Sequence, residues 1–116
     1  MRYLLLIYEE PAATPRADDD AMGAMLAEYG KLTDWLQAKD WLKAAAALQD
    51  VDTATTVSVQ EGTRVVTDGP FAETKEHLGG FYLIDVPSLD DAIEAAARIP
   101  GAKTGKIEIR PVWETG

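Results

Sequence analysis

The chain has no cysteine, a single histidine and few basic residues, and each scarcity removes a class of function. Without Cys there is no disulfide, no thiolate metal ligand and no Cys nucleophile. His77 stands alone, so a His-rich metal site cannot form. Lys and Arg total 11 against 20 Asp and Glu, a formal net charge of −9. That balance opposes a general electrostatic grip on nucleic acid or on an anionic membrane surface. No apolar run approaches the roughly 20 residues that span a bilayer. The N-terminal run Tyr3 to Tyr8 ends in Glu9 and Glu10 and lacks the cleavage site of a signal peptide, so a cytoplasmic protein is the expectation. Phosphate-binding glycine loops, a Ser nucleophile elbow and acids at metal-ligand spacing are also missing, and neither cofactor nor metal is expected. Asp18, Asp19 and Asp20 are contiguous, point in different directions, and read as charge favouring a helix N-terminus.

What is present fits one domain over residues 1–116: 47% hydrophobic content in 116 residues allows one modest core. Arg2 to Tyr8 is too short for a helix and reads as a strand buried on both faces. Pro11 and Pro15 break the chain, after which Met22, Met25, Leu26, Tyr29, Leu32 and Leu36 recur at spacings of three and four, the stripe of an amphipathic helix. Trp41 to Leu48 is ambiguous, because Ala44 to Ala47 favour helix while the topology asks for a strand; strand is the assignment. Thr55 to Gln60, a Glu61-Gly62 turn and Thr63 to Thr67 make a hairpin, and Gly80 to Val86 a further strand. Ser88 caps a helix whose Leu89, Ala92, Ile93 and Ala96 face inward, with Asp91 placed for a capping box and Pro100-Gly101 as the stop. Lys106 to Val112 closes the order as a strand. This order is that of a ferredoxin-like α+β sandwich with an added β-hairpin. Apolar residues on both sides of its strands call for a cover over the sheet's second face.

Chemistry concentrates between the hairpin and the strand after it, in Asp68-Gly69-Pro70-Phe71-Ala72-Glu73-Thr74-Lys75-Glu76-His77-Leu78-Gly79-Gly80-Phe81. Asp68 either serves an Asx turn or lies at the mouth of a pocket, where apolar neighbours such as Phe71 help it move a proton near neutral pH. His77 is the natural acid or base, or else a solvated polar residue. Glu73, Lys75 and Glu76 form a charge run that is either solvated or leads an anionic ligand to backbone amides at Gly79 and Gly80. Arg110 sits two residues from Glu108 on one strand face, where it either holds a carboxylate partner such as Asp68 or Glu73 or receives a substrate carboxylate.

The run DGPF-AETKE, followed by GGF, resembles the signature of the YCII-related proteins, specifically their DGPF subgroup, and the resemblance covers nearly the whole chain. It implies the dimeric α/β barrel group, in which two such sheets close face to face, and hence a homodimer. YCII-like relatives pair an aspartate with a histidine on the first helix; the equivalent position here is Tyr29, whose phenol, at an ordinary pKa of about 10, is a poor base at pH 7. In the subgroup, the His77 slot is more usually Gln, and relatives place glycines and an acid where this chain has Ala44 to Ala47. The resemblance names a family without naming a reaction. The leading expectation is a small polar or anionic metabolite at the Asp68 loop, with cofactor-free proton transfer by Asp68, His77 and Tyr29, and contacts from Phe71, Glu73, Lys75, Gly79, Gly80 and Arg110. The rival is a non-catalytic module that binds a protein partner, since DGPF-type proteins resemble companions of extracytoplasmic-function sigma factors.

Overall fold

The computed structural model describes residues 1–10 and 20–114. Pro11, Pro15, Asp18 and Asp19, read above as breakers and helix-start charges, lie outside the described residues. The elements run β1 (Arg2–Glu9), α1 (Asp20–Ala38), β2 (Leu42–Ala47), β3 (Thr55–Gln60), β4 (Thr63–Asp68), β5 (His77–Asp85), α2 (Leu89–Ala97) and β6 (Gly105–Pro111). Short 3₁₀ turns at Val51–Thr53 and Pro100–Ala102 fill two connections. The main sheet has the order β2-β5-β1-β6, all neighbours antiparallel, which is the ferredoxin-like arrangement. β3 and β4 form a separate two-stranded ribbon.

Register sorts the strand residues into two faces. Tyr3 pairs with Ile84, Leu5 with Tyr82 and Ile109, and Ile7 with Ile107, so these side chains share the helix-covered face. Tyr3, Leu5, Tyr82 and Ile84 join Leu32 and Leu36 of α1, Ala92, Ala95 and Ala96 of α2, and Val86 and Ile99 in one buried core. On the other face, Leu4 lies between Leu83 and Arg110, and Leu6 between Phe81 and Glu108. Leu4, Leu6, Phe81 and Leu83 are only half-buried, on the face away from the core that, among the described residues, the two helices share with the sheet.

Local signals explain the helix ends. Asp40 takes φ 57°, and the amides of Asp40 and Trp41 bond the carbonyls of Gln37 and Leu36, closing α1 with a Schellman motif on a non-glycine residue. Trp35 and Trp41 then meet edge to face with centroids 5.6 Å apart, and the Arg98 guanidinium sits 4.0 Å from the Trp35 ring, tying this end of α1 to α2. Ser88 caps α2 by accepting from the Asp91 amide, and its hydroxyl donates to the Asp91 carboxylate. Asp91 thus bonds the hydroxyl of Ser88, a shorter reach than the backbone amide that Glu spans in a full capping box. The inward placement of Leu89 and Ile93 is corrected: each is 49% exposed, and α2 packs through its alanines. Small side chains let the helix lie close on the sheet, which turns the flanking Leu and Ile outward.

The hairpin turn has positive φ at both Glu61 and Gly62, the type I′ geometry that matches strand twist. Val57 pairs with Val66, and Val59 lies on the same side, so one ribbon face carries three exposed valines.

Candidate functional site

An open cleft of about 1090 Å³ lies between the N-terminal half of α1 and the β2–β5 end of the sheet. Periodicity builds it: Met22, Met25, Leu26 and Tyr29 fall on the helix stripe, but the core proper is filled further along by Leu32 and Leu36. Opposite them, β2 offers only alanine side chains at Ala45, Ala46 and Ala47, and the space a larger residue would occupy remains open. Leu48 to Asp52, leading towards β3, close one side.

The polar lining comes from Tyr29 on α1, Glu9 and His77 at strand ends, Tyr82 within β5, and Gln49, Asp50 and Asp52 in the connector after β2. Tyr29 stacks on Tyr82 with centroids 6.5 Å apart and rings 6° from parallel. Burial, and then the negative charge of Glu9, push the Tyr29 phenol up to about 12, while a hydrogen bond from the Gly101 amide pulls the other way. Burial also raises the Tyr82 phenol. Tyr29 is therefore a hydrogen-bond donor at neutral pH. Gly101 makes this grouping possible: a Cβ on it would lie 2.3 Å from a Glu9 carboxylate oxygen, 3.0 Å from Ile7 and 3.2 Å from the Tyr29 hydroxyl. His77 places Nε2 2.9 Å from the Thr74 carbonyl. A carbonyl can only accept, so Nε2 carries the proton, and Nδ1 is left as a base in the neutral ring.

The structure brings Tyr29, His77, Gly79 and Gly80 to the cleft, and leaves Asp68, Phe71, Glu73, Lys75 and Arg110 outside its lining. The loop expected before Gly80 ends sooner, because His77 and Leu78 already pair with Glu9 and Tyr8, with Gly79 as the extra residue of a bulge in β5. Gly80 consequently pairs with Ile7 and Ala47, and Gly79 is the bulge residue beside it. Gly80 is there for space, since its Cβ would fall 2.8 Å from the Ala46 carbonyl oxygen, and Gly79 accepts from the Leu48 amide.

Asp68 is exposed at the end of β4, where Gly69 turns with φ 97° and its amide bonds Ala54. Phe71 is 90% exposed and shields nothing. Lys75 pairs with Glu10 at 3.4 Å, and Glu76 with Lys106. Arg110 is exposed and, among the described residues, pairs at 3.7 Å with Glu108 on its own strand, not with Asp68 or Glu73 as expected from the sequence. Residues that sequence reasoning passed over are Glu9, Asp50 and Asp52, all in the cleft lining. Glu9 had a signal, an acid ending an apolar strand; the two aspartates in a connector had none. Among the described residues no group of three or more His, Cys, Asp or Glu is placed to hold a metal, and no helix is long and apolar enough to cross a membrane.

A family model described as YCII-related domain matches residues 1–115. An uncharacterised protein of Rhizobium meliloti (strain 1021) is 34% identical over 114 residues, covering 97% of this chain and 92% of that protein. Among solved structures, the 5-chloro-2-hydroxyhydroquinone dehydrochlorinase of Burkholderia phenoliruptrix AC1100, in complex with 2,5-dihydroxybenzoquinone, superposes with a TM-score of 0.50. That match is 14% identical and covers 100% of this chain and 96% of the other, and it shows a shared fold.

Proposed function

Because the chain belongs to the family of YCII-related domains, we propose that it binds a small, largely apolar molecule in the cleft beneath α1 and acts on it by cofactor-free proton transfer. One observation carries the reading: the single imidazole and a half-buried phenol, far apart in sequence, line the same largely apolar cleft. A volume of about 1090 Å³ accommodates a substituted ring, and the dehydrochlorinase of similar fold holds a six-membered one. In this reading His77 Nδ1 takes or returns the proton, and Tyr29 donates a hydrogen bond to the oxygen on which charge develops. The homodimer is part of the proposal. It is supported by the half-buried row of Leu4, Leu6, Phe81 and Leu83 on the face away from the core. Any catalytic part for Asp68 depends on that dimer, since the carboxylate is exposed on the single chain.

A second reading, a regulatory module for a basic protein partner such as an extracytoplasmic-function sigma factor, is favoured by the exposed Val57, Val59, Val66 and Phe71 on an acidic chain. Thermal shift separates the two. A cleft ligand such as hydroquinone or catechol at about 100 times its dissociation constant adds roughly 2.7 kcal/mol, or about 10 °C for a chain of this length. The shift should shrink in Tyr29→Phe and Asp68→Asn should test the dimer-dependent role. No shift with any small ring compound would transfer the weight to the partner-binding reading.

A further inference from the structure

Resting on the cleft as the ligand site, we infer that it selects an apolar molecule carrying a protonated amine and turns carboxylates and phosphates away. The apolar walls include Ile7, Met22, Met25, Leu26, Tyr29 and Tyr82, which suit a hydrocarbon or aromatic body. The ionisable lining is one-sided: Glu9, Asp50 and Asp52 carry carboxylates, His77 is the only nitrogen base, and no Lys or Arg is among the described lining residues. The two lysines at this end of the sheet are already paired, Lys75 with Glu10 and Lys106 with Glu76. The Asp50 and Asp52 carboxylates, by contrast, enter no ion pair among the described residues.

Charge of one sign beside low-dielectric walls focuses the field into the space between them. An ammonium entering the cleft gains from that field. A carboxylate of the same size meets the charges of Asp50 and Asp52 and no Lys or Arg among the described lining residues. Gly80 offers no compensation, because it pairs with Ile7 on one side and Ala47 on the other.

The test is calorimetric titration of the full chain with three probes of matched shape: 2-phenylethylamine, 2-phenylethanol and phenylacetate. At low salt the amine should bind at least about tenfold more tightly than the alcohol, and phenylacetate more weakly than either. The amine's advantage should fall several-fold in the Asp50→Asn/Asp52→Asn double variant, whose two positions are exposed and leave the core untouched. A control variant, Asp34→Asn/Asp90→Asn, removes two acids outside the cleft lining and should leave the advantage unchanged. Alcohol or phenylacetate binding as tightly as the amine would overturn the charge selection and leave the cleft as a ligand site. An amine preference equally reduced by both double variants would reduce it to the general charge of the surface and overturn the inference. Failure of all three probes to bind would sink the cleft reading together with it.

Discussion

Two glycine-to-alanine substitutions should move stability in opposite directions, and the structure decides the sign of each. Gly30 lies in the interior of α1, and a Cβ there meets nothing within 4 Å. Gly30→Ala therefore gains helix propensity alone, about 0.5–1 kcal/mol. Gly101 is buried, and its Cβ would fall 2.3 Å from Glu9 Oε1 and 3.0 Å from an Ile7 methyl. Carbon atoms rest about 3.5–4.0 Å apart, so Ile7, in a central strand, must yield by about half an ångström or more. Glu9 can swing its carboxylate aside, but the strand cannot follow as easily, and overpacking of this kind costs about 1–3 kcal/mol. For a chain of this length each kcal/mol moves Tm by about 4 °C. Gly30→Ala should therefore raise Tm by about 2–4 °C, and Gly101→Ala should lower it by about 4–12 °C. Differential scanning calorimetry at fixed protein concentration reads both. A Gly101→Ala protein as stable as the parent would refute the packing argument, and a destabilised Gly30→Ala would refute the view that α1 is open on that side.

Leu36 is fully buried, and Leu36→Ala should cost about 2–5 kcal/mol in urea unfolding; a loss under 1 kcal/mol would mean that the core closes over the hole. Asp40 holds a left-handed conformation at the end of α1, so Asp40→Gly should add about 0.5–1 kcal/mol in the same assay, and a loss would show that its side chain matters more than its backbone. The Tyr29 phenol is raised from 10.0 to about 12, so the unfolded chain ionises first and the associated stability drains away as pH climbs through that interval. Tyr29→Phe should flatten this part of the alkaline unfolding curve, and Glu9→Gln, which removes a raising charge, should narrow it; equal alkaline sensitivity in all three proteins would remove the assignment. Leu6→Glu places a charge on the sheet face away from the core and should convert a dimer into a folded monomer in light scattering; a parent that is already monomeric disposes of the dimer.

The element order was legible because each strand and helix carries its own pattern. β2 is the instructive case: four alanines in a row favour helix, yet Leu42 to Ala47 is extended, because β5 supplies a pairing edge that local propensity does not register. Leu89 and Ile93 misled for a related reason, since periodicity identifies a stripe but cannot say whether alanines or larger residues make the closest approach. The site was legible in part. His77 was picked out by its side-chain chemistry and Tyr29 by the family resemblance, and both line the cleft, whereas the motif residues Asp68 and Phe71 lie outside its lining. The acids of the connector, Asp50 and Asp52, become meaningful only once the chain folds back beside β5.

The sheet order also ranks the strands by how long they resist opening. β1 and β5 each have a partner on both sides, whereas β2, the alanine wall of the cleft, borders β5 alone and presents its outer edge to water. Amides along β1 should then keep their protons longest in deuterium exchange, and those of β2 should surrender theirs by local fraying well before global unfolding. The cleft is thus walled on one side by one of the sheet's two edge strands. Molecules wider than the resting gap have a way in that leaves the central pair undisturbed, and any occupant that bridges α1 to Ala45 and Ala47 should register first as slowed exchange along that edge.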